Sequence, residues 1–191
     1  MARRLHKPPM KFTLELSERD LRFFRGALQK ARRAVRDADE HDIVDAVESV
    51  LAEIRGEAPL PDFVALRIPQ IEALIAMLRD EEWNLPAAAR ERVLAAFAYF
   101  GDPEDLLPDN IPVIGYLDDV IVIELVVREL QHVREAYADF CNYRDEVDGS
   151  PAGQDALIRR DRIDRRRQKL HQRMKRRQTK DRSNGRWTAL W

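Results

Sequence analysis

Four carboxylates are the side chains in this sequence best suited to chemistry. Asp105, Asp109, Asp118 and Asp119 form two acidic pairs on either side of a short hairpin that contains prolines and a glycine, so folding can bring them toward one point. Gathered carboxylates repel one another unless a hard cation or basic groups neutralise them. Oxygen-only donors suit Mg²⁺, Mn²⁺ or Ca²⁺, and such a centre would support hydrolysis of phosphoesters. The same residues also fit plain architecture: Asp105 as the third residue of a helix, Asp109 capping the next turn, and Asp118 and Asp119 in the first turn of a following helix. In those places each would accept backbone N–H groups. Neighbouring residues on a helix point about 100° apart, so at most one of Asp118 and Asp119 faces any single site. Aspartate so commonly opens helices that the capping role is the leading expectation, with the metal centre as its rival.

Glu129 and His132 have the Glu-x-x-His spacing that puts two ligands on one helix face in di-iron bundles. Such a centre needs a second copy of the motif, and this chain has none. A solvated polar stripe of Glu129, His132 and Glu135 is therefore expected. His6, His41 and His171 stand apart at no metal-ligand spacing. There is no glycine-rich phosphate loop, no Gly-x-Ser-x-Gly elbow and no Cys-x-x-Cys. Cys141, the single cysteine, reads as a buried inert thiol. Enzymatic chemistry thus rests on the aspartates alone, and no small-molecule cofactor is expected.

The second concentration of function-bearing side chains lies near the C-terminus. From Arg159 to Arg186 there are 14 Lys or Arg against 3 Asp, whereas the remainder holds 19 basic and 31 acidic residues. The formal charge of −1 hides a body near −12 and a tail near +11. Arg165, Arg166, Arg167, Lys169, Arg173, Lys175, Arg176 and Arg177 are candidates for neutralising phosphates on RNA or DNA. Trp187 and Trp191 after that run suit an anionic membrane interface instead. The third reading lays the tail on the acidic body of the same or a neighbouring subunit, because the opposite charges are nearly equal. No aromatic residue lies between Arg159 and Arg186, which removes the stacking that a single-strand binder uses.

The elements that must position these groups are helical. Of 191 residues, 45% are hydrophobic, only seven are glycine and 7% are aromatic, which favours helices over sandwiches or barrels and excludes wholesale disorder. Ser17 lies three residues ahead of Asp20, a capping-box pattern that opens a helix running to about Arg36. Ile43, Val44, Val47, Leu51 and Ile54 recur at helical spacing up to Gly56. Pro69 and Pro86 each suit the first turn of a helix, the second running from Ala87 to Phe100, and Asp102 with Pro103 repeats that logic. Val120 to Ile123 has the β-branched content of a strand. Val126, Leu130, Val133, Tyr137 and Phe140 continue at helical spacing, however, and predict one long central helix from about Tyr116 to Arg144. Asp148 to Gly153 reads as a linker. Beyond it, Asp155 to Arg182 has a thin apolar stripe of Ile163, Leu170 and Met174, and so little to bury.

Tyr99-Phe100, Pro103, Asp105-Leu-Leu-Pro-Asp109 and Ile111-Pro-Val-Ile-Gly-Tyr-Leu-Asp-Asp-Val120 together resemble the signature of the YkvA-like family, with Leu107 in place of the usual isoleucine. The likeness covers roughly Ile71 to Leu130. It implies a compact helical domain with an acidic motif and no established biochemical activity. The expectation is an all-α bundle: a basic arm over 1–16, a helical domain over 17–148, and a linker with an arginine-rich tail, helical or disordered, over 149–191. The first nine residues are basic with no apolar run behind them, so no export signal is expected. With one cysteine, this favours a cytoplasmic protein, including one peripheral to the inner face of the membrane. The functional expectation is a non-enzymatic interaction or scaffold protein. Its partners would be proteins or further copies met through opposite charge, or a nucleic acid or anionic membrane met through the tail.

Overall fold

The structure is a computed structural model that describes residues 15–36, 38–56, 62–101 and 117–183. Among them every regular element is helical: α1 (Glu18–Val35), α2 (Glu40–Gly56), α3 (Asp62–Ala65), α4 (Ile68–Arg79), α5 (Ala87–Phe100), α6 (Leu117–Glu129), α7 (Gln131–Asp148) and α8 (Ala156–Ser183), with a 3-10 turn at Pro151–Gly153. No described helix is long and apolar enough to cross a membrane.

α1 begins as its capping pattern predicts: the Asp20 N–H donates to Ser17 Oγ at 3.4 Å and the Ser17 N–H donates to Asp20 Oδ2 at 2.8 Å. The Oδ2 bonds hold the Asp20 carboxyl below its usual range. α2 ends at Gly56, and Pro69 lies in the first turn of α4. Pro86 stands one place earlier than expected, at the N-cap of α5.

The centre of the bundle is α5, which is packed by α1, α2, α4 and α6. Val93, Ala95, Ala96 and Phe97 are wholly buried there; the alanines let neighbouring backbones approach, and Phe97 fills the space between. Arg32 of α1 reaches Glu91 of α5 through two bonds of 2.6 and 2.7 Å, the fork-on-fork geometry that gives direction to an otherwise apolar contact.

The single helix expected over Tyr116–Arg144 is two helices. They part at Leu130, whose φ of −88° and ψ of 11° interrupt the helical path. The bonds from the Leu130 N–H to Val126 O and from the Arg134 N–H to Leu130 O, each 2.9 Å, persist on either side. Neither proline nor glycine is near; Leu130 is fully buried and its neighbour Glu129 pairs with Arg92 of α5 at 3.2 Å. The strand alternative at Val120–Ile123 is absent, because these residues lie within α6.

The last layer is α8 on α7. Ile163, Leu170 and Met174 are the buried residues of α8, so the thin stripe is the surface it uses. The Asp148–Gly153 segment turns tightly, with Ser150 Oγ donating to Val147 O at 2.7 Å. A Cβ on Gly153 would lie 2.5 Å from the Val147 carbonyl oxygen, so only glycine lets the chain reverse this closely. The α4–α5 connection also meets this layer: Asn84 takes φ 48°, a left-handed conformation that asparagine tolerates, and Trp83 is completely buried.

Candidate functional site

Asp105 and Asp109 lie outside the described residues, as do His6, Trp187 and Trp191. Asp118 and Asp119 occupy the first turn of α6, at 3% and 2% exposure. A helix N-terminus is a favourable place for carboxylates. The two diverge in surroundings. Asp118 Oδ2 accepts from the Tyr99 hydroxyl of α5 at 3.5 Å. Asp119 borders a void of about 10 Å³, shared with Leu51, Ile54, Val64, Arg67 and Phe100. That space is about what one water requires. Among the described residues no three His, Cys, Asp or Glu side chains are grouped to hold a metal ion. The acids further along α6 face basic partners: Glu124 meets Arg67 at 2.9 Å and Arg128 at 2.6 Å.

Glu129 and His132 do not converge. Glu129 pairs with Arg92, while His132 Nε2 lies 2.5 Å from Asp181 Oδ2 of α8 and its Nδ1 lies 3.7 Å from Glu135. The expected solvated stripe is therefore only partly solvated. The side chains of Glu129 and His132 keep 11% and 18% of their exposure, and Glu135 alone, at 42%, stands well out. α8 lies over this part of α7, a covering that local spacing could not announce. His41 is exposed. His171 packs edge-on against Trp83 at 4.5 Å, and burial, aided by the Arg167 charge, pushes its pKa below the ordinary histidine value. Cys141 is half-buried, and burial raises its thiol above the usual cysteine range, which keeps it protonated.

The densest polar arrangement seats α8. Asp80 Oδ1 accepts from the Trp83 N–H at 2.9 Å, while its Oδ2 accepts from the Tyr137 hydroxyl at 3.1 Å and from Arg144 at 2.8 Å. Arg144 also reaches Glu82 at 3.3 Å. Arg159, in the first turn of α8, bridges Glu82 and Asp148 at 2.5 Å each. Hydrogen bonds from Arg159 hold both carboxyls below their usual range, and the two acids raise the guanidinium in turn. Arg167 donates to the Glu82 carbonyl at 2.9 Å. None of this cluster stood out from spacing. The one signal was the acidic run Asp80-Glu81-Glu82 just before Trp83, whose charge matches the tail's.

The eight tail cations separate by partner. Arg173 pairs with Asp139 of α7, and Arg177 with Glu135 at 3.0 Å. Arg166 stacks its guanidinium over the Tyr143 ring at 5.1 Å. Arg165 and Arg167 hold Asp161 and Asp164 of α8 itself, at 2.7 and 2.8 Å. Lys169, Lys175 and Arg176 are exposed, with no carboxylate in ion-pair reach among the described residues.

Residues 91–125 match the family described as "Protein of unknown function (DUF1232)". The YkvA-like resemblance agrees with that match, which is narrower than the Ile71–Leu130 span read from the sequence. The DUF1232 segment takes in most of α5 and the first turns of α6, with Tyr99, Asp118 and Asp119, and it stops before α7 and α8. Neither curated proteins nor solved structures provide a match to the chain.

Proposed function

We propose that this is a non-enzymatic interaction or scaffold protein that meets its partners by charge, with α8 binding polyanions. One observation carries this reading: α8 spends Arg159, Arg173 and Arg177 on carboxylates of the body, while Lys169, Lys175 and Arg176 are exposed with no carboxylate in ion-pair reach among the described residues. The inner cations seat the helix and the outer ones are available to a partner, whether polyanion, acidic protein or another copy of the chain. A cytoplasmic setting, including the inner face of the membrane, suits this role.

Removing α8 altogether would uncover the surface of α7 on which Ile163, Leu170 and Met174 pack, so charge reversal at exposed cations of α8 is the cleaner test. The unaltered protein should be retained on heparin and released by moderate salt. The double variant Lys169→Glu, Arg176→Glu should elute far earlier with its melting unchanged. Equal retention of both proteins would refute the assignment.

The rival is a Mg²⁺-, Mn²⁺- or Ca²⁺-dependent phosphoesterase using Asp105, Asp109 and Asp118 or Asp119. Two adjacent buried carboxylates support it, whereas their place in the first turn of α6 also suits plain architecture. Titration calorimetry with each cation decides the matter. No heat and no rise in Tm at millimolar metal would remove the enzyme.

A further inference from the structure

The outer side of α8 has a pattern that narrows its partner. Arg162, Arg165, Lys169, Arg176 and Lys180 are all exposed, and their spacings of 3, 4, 7 and 4 residues keep them on one stripe of the helix. At 1.5 Å per residue the stripe is about 27 Å long. Arg165 is partly matched by Asp161; the other four have no carboxylate in ion-pair reach among the described residues.

We infer that this stripe is a contact surface for the phosphate backbone of a nucleic acid duplex, bound without regard to base sequence. The inference rests on the polyanion reading above and names its partner. A fixed row of cations can lie across the evenly spaced phosphates of a duplex and neutralise several of them at once. Because α8 is a continuous helix seated by Arg159 at one end and Arg173 and Arg177 toward the other, the row is organised before the partner arrives, and little ordering is needed on binding.

Two alternatives are less well served. An interfacial membrane helix inserts an apolar face, yet Ile163, Leu170 and Met174 are already buried against the body. The exposed Leu157 and Ile158 stand only at the first turn, ahead of the first cation of the stripe. A single-strand binder stacks bases on aromatic rings, and α8 contains no Phe, Tyr or Trp. Residues 37–158 hold 28 acidic against 8 basic residues and repel a polyanion, whereas residues 1–36 hold 11 basic against 3 acidic, so the α1 variant below tests whether contact is confined to the stripe.

The test is fluorescence anisotropy of the full chain with a mixed-sequence duplex about twice the length of the stripe. The matching single strand and vesicles of equal parts phosphatidylglycerol and phosphatidylcholine are measured beside it. Four or five phosphate contacts predict that log K falls against log salt with a slope of about −4, a loss of roughly 250-fold for a fourfold rise in salt. Lys169→Glu with Arg176→Glu should flatten that slope by about 2. Arg22→Glu with Arg33→Glu, the same charge change on exposed positions of α1, should leave the slope unaltered. Retention on heparin without duplex binding, tighter binding to the single strand, or binding to vesicles alone would overturn the duplex while leaving the polyanion reading intact. Failure on heparin as well would overturn both.

Discussion

α5 and α8 are held in opposite ways. α5 is gripped from several sides through wholly buried Val93, Ala95, Ala96 and Phe97, with ion pairs from Arg90, Glu91 and Arg92 added to that apolar contact. α8 is twice as long, 28 residues against 14, yet it buries three apolar side chains and is otherwise seated by matched charges. Burial of apolar surface depends neither on ionisation nor on the screening of charge, whereas exposed ion pairs depend on both. The bundle therefore has a robust centre and a condition-sensitive outer layer, and that outer layer carries the cations available to a partner.

The sharpest way to break this contrast is to strike each helix at its core. Phe97→Ala should cost about 3–5 kcal/mol, read by urea denaturation; a loss below about 1 kcal/mol would mean that α5 is not the centre. Leu170→Ala should cost less, about 2 kcal/mol, and its effect should be local. Amides of α8 should exchange faster while those of α5 stay protected; equal acceleration in both would show one cooperative unit and no separate outer layer.

Acid should loosen the layer in two stages. His171 has a lowered pKa in the folded protein, so its contribution is complete at neutral pH and falls away as pH drops below about 6.5 toward the folded value. Glu82 and Asp148 are lowered as well. Their contribution is present above the ordinary carboxylate range and is lost as pH falls through the folded values. Protection of the α8 amides, measured relative to their intrinsic exchange at each pH, should therefore fall on mild acidification, before that of the α5 core, and His171→Gln should remove the first stage alone. Constant α8 protection from neutral pH down to the carboxylate range would contradict the account. At the small end, Ser17→Ala should cost about 1 kcal/mol through its lost cap, against less than about 0.5 kcal/mol for Arg165→Ala on the exposed side of α8. Thermal melts rank the two.

Local chemistry made much of the fold legible. The Ser17–Asp20 capping box, the stop at Gly56 and the early prolines of α4 and α5 act within one helical turn, so each could be read in place. The buried stripe of α8 was likewise legible as Ile163, Leu170 and Met174. The break at Leu130 was not, because no proline or glycine marks it and the contacts beside it, such as Glu129 with Arg92 of α5, come from another helix. His132 shows the same limit: it read as solvated until α8 brought Asp181 against it from 49 residues away.

Sequence alone determined the helical class, the helix starts, the separation of negative body from positive tail, and the position of Asp118 and Asp119 in a helix's first turn. These follow from side-chain type and near-neighbour spacing, which act over a few residues. Only the tertiary structure decided which helix is central, which tail cations are matched by carboxylates and which face outward, and that Asp118 and Asp119 are buried in different surroundings. Those outcomes depend on which surfaces meet when helices pack, and a cation's partner is set by the neighbouring helix rather than by its own.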